Sequence, residues 1–173
     1  FRRPAGLHGR HTIVLEFDRV AVPRRQQIGA DRDRVLTFLS RRPYILERGR
    51  GNRDSTYNAI WRWDGPIVML TNEASYSDGE IFPMGFKQLE LGTIVGMPTF
   101  GAVIGTNDIE LIDGTNFRVP GTGWYRLDGR NLENDPVTPH ILVEDVPEES
   151  LQGRDVQLET AVEECLRMLG ARE

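Results

Sequence analysis

Residues 66–82 read Pro66-Ile67-Val68-Met69-Leu70-Thr71-Asn72-Glu73-Ala74-Ser75-Tyr76-Ser77-Asp78-Gly79-Glu80-Ile81-Phe82. The opening run Pro66-Ile67-Val68-Met69-Leu70 is apolar and rich in β-formers, as a buried strand requires, while Ile81, Phe82, Phe86, Leu89 and Leu91 recur at helical spacing. The passage is therefore strand, polar turn, helix. Ser77 falls at the first turn of that helix, where free backbone N–H groups and the positive end of the dipole face any negative charge developing on a substrate. That is the environment of a nucleophile beside an oxyanion hole. The same residues also read as an ordinary serine N-cap, supported by Asp78 and Glu80.

The segment Thr71-Asn72-Glu73-Ala74-Ser75-Tyr76-Ser77-Asp78-Gly79-Glu80-Ile81-Phe82 resembles the nucleophile segment of tricorn core proteases and the wider tail-specific, C-terminal-processing serine peptidases. The likeness continues through Gly85–Gly92, Ile94–Gly105 and Leu132–Ile141, in the expected order, and covers roughly residues 36–170. It implies an α/β fold of crotonase-like (ClpP/crotonase) type, a mixed sheet flanked by helices. It also implies that Ser77, the second serine of the pair, attacks, with Ser75 structural. Asp78 would lend its backbone N–H to the oxyanion hole with its carboxylate turned away, and Gly79 would give the turn room. Glu133 matches the glutamate that helps orient the histidine side in tricorn relatives, although on its own it also reads as a solvated acid on a turn. Asn134 and Asp135 receive no role.

The general base is missing from this picture. Tail-specific relatives place a lysine in a Phe-Gly-Lys-Gly-like segment about 25 residues after the nucleophile, whereas here Phe100-Gly101-Ala102-Val103 puts a methyl group at that position. A Ser–Lys dyad is therefore not expected. The tricorn branch takes its base from a histidine upstream of a PDZ-like insert, and no such segment is in the chain. It is expected to be a fragment, since it opens on Phe1, and to be slow or inactive alone. His140 follows Pro139 where relatives have Asp and reads as structural, and His8 and His11 lie in a stretch unlike the family. Relatives follow their first strand with Asp-x-Arg-x-Asn and a glycine run, but Asp18–Gly29 contains one glycine, so residues 1–31 are atypical.

Composition narrows the class. At 173 residues, 39% apolar and 27% charged, the chain reads as one subdomain over 1–173. No run approaches the ~18 apolar residues of a membrane span. Residues 1–53 carry thirteen arginines against five acids, a balance of +8, and the remainder carries −13. The arginine arm lacks the interleaved aromatics of a base-stacking surface, which argues against nucleic acid. No metal spacing or phosphate loop is present, so no cofactor is expected. Cys165, at helical spacing with Leu158, Ala161, Val162, Leu166 and Leu169, reads as a core thiol.

Further elements follow from pattern. Strands are expected at 12–17, 56–63, 93–95, 109–112, 115–119 and 124–127, with Pro120 to Gly123 as a break, and helices at 33–39 and about 156–169. A mobile loop is expected at 48–54. The expected function is a serine peptidase acting on peptides or unstructured protein termini, cytoplasmic as in tricorn relatives or exported as in tail-specific ones, and a homo-oligomer. The rival reading is an inactive interaction module of the same fold.

Overall fold

The computed structural model describes residues 13–16, 28–42, 45–48, 55–58, 63 and 65–170. In chain order the elements are β1 (Ile13–Glu16), α1 (Ile28–Leu39), β2 (Ile45–Arg48), β3 (Ser55–Asn58), β4 (Ile67–Thr71), α2 (Asp78–Gln88), β5 (Thr93–Gly96), β6 (Ile104–Glu110), β7 (Asn116–Gly123), β8 (Ile141–Leu142), α3 (Pro147–Leu151) and α4 (Val156–Gly170). The protein is a mixed α/β structure. Its main sheet has the order β1-β4-β5-β8 and every pairing in it is parallel, whereas β2–β3 and β6–β7 form separate antiparallel ribbons. The expected mixed sheet is thus divided, with its antiparallel pairs outside the parallel sheet.

Alternation along β4 sorts the core. Ile67 and Met69 pack with Phe82, Met84, Phe86 and Ile94 on one face, together with Leu39 of α1. Val68 and Leu70 point the other way and join Val95, Ala161 and Cys165 of α4. A strand buried on both faces needs this continuous apolar run. Cys165 is buried as expected, and burial, reinforced by Glu164, pushes its thiol pKa up. Glu164 itself is nearly buried and accepts from Arg167 and from Thr93 Oγ1 at 3.1 Å, which pins α4 to β5.

Helix α2 stops three residues before the Leu91 that its apolar spacing suggested. Glu90 sits at φ 52°, its N–H donates to Lys87 O, and Leu91 N–H donates to Phe86 O at 3.1 Å. These bonds form a Schellman end, which consumes the last carbonyls and turns the chain into β5. At the end of β5, Gly96 has φ 122° and a Cβ there would lie 2.1 Å from Thr71 O. Only glycine allows β4 and β5 to converge at this point.

The expected break at Pro120–Gly123 is not one: β7 runs through it to Gly123. Pro120 stands opposite Thr106, beside the register shift at Gly105/Thr106. A two-stranded ribbon has a free edge, and a residue without an N–H is tolerated there. The segment read as a strand at 124–127 retains a single bridge, Tyr125 to Asn131.

Candidate active site

Ser77 joins β4 to α2 with φ 57° and ψ −117°. These are the angles of the first central residue of a type II′ turn, normally a glycine position, and Gly79 N–H closes the turn on Tyr76 O at 2.9 Å. A serine held there costs on the order of 1–3 kcal/mol, and such strain persists only where surrounding structure enforces it. Ser77 is the N-cap residue by position, yet its side chain makes no cap hydrogen bond. Its carbonyl accepts from Glu80 N and Ile81 N, the residue is exposed, and the hydroxyl has no hydrogen-bond partner among the described residues. Asp78 N–H, next in the chain, has no acceptor among the described residues.

Ser75 is different. It is fully buried, its Oγ donates to Asn72 Oδ1 at 3.2 Å and accepts from Asn72 N at 3.3 Å, and its carbonyl accepts from Phe100 N.

The enforcing structure is the segment Thr99–Val103. Ser77 N–H donates to Ala102 O at 3.0 Å. Glu80, fully buried in the first turn of α2, accepts Gly101 N–H at 2.7 Å, Ala102 N–H at 2.7 Å and Thr99 Oγ1–H at 2.6 Å. Thr99 Oγ1 in turn accepts from Val137 N at 2.8 Å, so its one proton is committed to Glu80. On the far side Val103 N–H donates to Glu133 Oε2 at 2.7 Å and Asn134 N–H donates to Gly101 O at 2.8 Å. Gly101 has φ 89°, and a Cβ there would meet Pro136 at 3.1 Å.

Sequence reading gave Glu80 only a supporting part in an ordinary serine N-cap. A signal was present, because Pro83 and Met84, three and four residues on, are both buried and Glu80 shares their helix face. Arg32 was also missed. Its Nη1 donates to Asp78 Oδ1 at 2.7 Å, and its guanidinium lies 5.3 Å from the Trp124 ring centroid.

Glu133 is half-buried, and its Oε1 has no partner among the described residues. Its backbone N–H donates to Asn131 Oδ1, and the adjoining Leu132 N–H donates to Trp124 O. Asp135 pairs with Arg126 at 2.7 Å, and Asn134 adopts φ 61°. His140 is engaged elsewhere: Nδ1 accepts Ile94 N–H at 2.8 Å and its own N–H donates to Ile94 O. Burial, and then the nearby Lys87 charge, lower its pKa. His8, His11, the stretch compared with the glycine run and the loop at 49–54 lie outside the described residues.

Among the described residues no group of three or more His, Cys, Asp or Glu could hold a metal, and no helix is long and apolar enough to cross a membrane. A cavity of about 320 Å³ is lined by Leu39, Trp63, Ile67 and Leu91, among others. It opens at the start of β4, the opposite end of that strand from Ser77, and plays no part in the site.

An exposed serine at a strained turn thus stands between a buried parallel strand and a helix, beside an N–H with no acceptor among the described residues. The profile of Peptidase family S41 matches residues 19–143, and the chain belongs to that family of serine peptidases. It is 41% identical over 105 residues to the tricorn protease of Thermoplasma volcanium, covering 60% of the chain and 10% of the relative. It is 36% identical over 137 residues to tricorn protease homolog 1 of Streptomyces coelicolor, covering 78% and 13%. The crystal structure of the tricorn protease superposes with a TM-score of 0.68 at 29% identity, covering 82% of the chain and 14% of that protein. The chain therefore spans about a tenth of the length of the curated relatives it matches.

Proposed function

We propose that residues 1–173 form a catalytic subdomain of crotonase-like type in which Ser77 is the nucleophile of a serine peptidase. Ser77 Oγ attacks a peptide carbonyl, its proton passing to a general base supplied by sequence outside this chain. The carbonyl oxygen becomes an oxyanion, received by Asp78 N–H at the start of α2. The C–N bond then breaks, the base returns the proton to the leaving amine, and an ester remains on Ser77. Water gives a proton to the same base and attacks the ester carbonyl, the C–Oγ bond breaks, and the base returns that proton to Ser77 Oγ as the acid leaves. Glu133 orients the base from the histidine side, with Oε2 fixed by Val103 N–H and Oε1 available to a partner.

The observation that carries this reading is the conformation of Ser77, a non-glycine residue at φ 57° and ψ −117° whose hydroxyl is not spent on capping. Ala102 in place of a lysine, together with His140 occupied at Ile94, supports a base from elsewhere. Peptides or unstructured protein termini are the substrate class. A cytoplasmic homo-oligomer is the accompanying reading, resting on the likeness to tricorn proteases.

A fluorophosphonate probe tests the proposal in the full-length protein. Covalent labelling that maps to Ser77 and disappears in Ser77→Ala supports it. No labelling, with the protein folded, favours a non-catalytic module.

A further inference from the structure

We infer that Arg32 is a positioning residue of the oxyanion hole, acting by neutralising and turning away the Asp78 carboxylate; this rests on the reading of Ser77 as nucleophile. The residue whose N–H receives the oxyanion is itself an acid. Bond lengths keep its carboxylate within roughly 6 Å of any oxygen bound to that N–H. An uncompensated charge there opposes the one that forms in the transition state, by a factor of about 10 to 100 in rate at an effective dielectric near 20.

The structure places a specific counter-charge on this carboxylate. Arg32 comes from α1, forty-six residues earlier, and donates Nη1–H to Asp78 Oδ1 at 2.7 Å. Its side chain is 9% exposed against 34% for Asp78, so the cation is the more buried partner and water screens it poorly. The guanidinium is held twice more, by Trp124 at 5.3 Å and by Asp33 Oδ1 at 3.0 Å through Nε. Trp124 O accepts Leu132 N–H, which ties the clamp to the turn carrying Glu133. Asp78, through Arg32, and the Glu133 turn thus share Trp124 as one support. Asp78 Oδ2 has no partner among the described residues, so the carboxylate's direction depends on Arg32.

The experiment measures fluorophosphonate labelling rates in the full-length protein, separating the probe's binding constant from the rate of bond formation. Wild type is expected to label at Ser77. Arg32→Met should slow bond formation about 10- to 100-fold with binding little changed. Arg32→Met combined with Asp78→Asn should recover most of that loss, because the offending charge is gone. Arg32→Lys, which keeps the charge, should retain most of the rate, and it carries the test if the methionine variant does not fold. Melting curves establish folding in each case. Equal rates in wild type and Arg32→Met, or a double variant as slow as the single, would overturn the role and leave Arg32 as a packing strut. A loss in Arg32→Lys as deep as that expected of methionine would overturn it too. Failure of the wild type to label refutes instead the assignment of Ser77.

Discussion

Ser77 and Glu133 grip opposite sides of one peptide group: Ser77 N–H donates to Ala102 O at 3.0 Å, and Val103 N–H of the same peptide unit donates to Glu133 Oε2 at 2.7 Å. The planar peptide fixes the distance between nucleophile backbone and carboxylate at no more than roughly 8 Å. Removing the carboxylate in Glu133→Ala leaves the Val103 N–H unpaired. The expected cost is about 1–3 kcal/mol, read from the denaturant midpoint. Glu133→Gln keeps an acceptor and should hold its midpoint within about 1 kcal/mol.

Strain at Ser77 gives an opposed pair of outcomes for one substitution. Ser77→Gly relieves the unfavourable angles and should raise stability by about 1 kcal/mol, or about 2–4 °C in melting temperature. The same variant should lose all fluorophosphonate labelling. A lower melting temperature would show that the turn is not strained.

Glu80 holds three donors in a buried place, so Glu80→Ala strands Gly101 N–H, Ala102 N–H and the Thr99 hydroxyl. A loss of about 3 kcal/mol or more in unfolding free energy is expected. Amide exchange should accelerate at Gly101 and Ala102 first. Unchanged protection at those amides would contradict the network.

Gly96→Ala forces a methyl group 2.1 Å from Thr71 O at φ 122°. Backbone rather than a flexible side chain is in the way, so the β4–β5 pairing must open. The expected result is a loss of more than about 3 kcal/mol, seen in a denaturation curve, or failure to accumulate as folded protein.

His140 gives the fold a pH dependence with a definite sign. Its imidazole must be neutral for Nδ1 to accept Ile94 N–H, and burial and Lys87 lower its pKa below the ordinary 6.5. The unfolded chain therefore binds the proton more readily, and stability falls as pH drops below about 6.5 and on through the lower folded value. His140→Asn, which offers an acceptor in a similar place without titrating, should flatten that slope in melting temperatures taken between about pH 5 and 8.

What could be read in the sequence follows the range of the forces involved. The passage from Ile67 to Phe82 was legible because an apolar run and a helical repeat are local signals. Pro120 misled because its effect depends on which edge of a ribbon it occupies, a tertiary fact. Helix α1 begins at Ile28, five residues before the expected Asp33. Strand β2 was not foreseen because its register is set by β3. Ser77 stood out as a candidate through a dense local motif, whereas Glu80 and Arg32 bond to partners about twenty to forty-six residues away.

Every bond that fastens residue 102 runs through its main chain: the N–H to Glu80, the carbonyl to Ser77. Its side chain bears no part of the attachment, so mutation at that place removes none of these hydrogen bonds. A lineage could exchange alanine for the lysine seen in tail-specific relatives, changing the source of the base without rebuilding the scaffold around the serine. Divergence of mechanism within one architecture then needs a single codon, provided another base already serves.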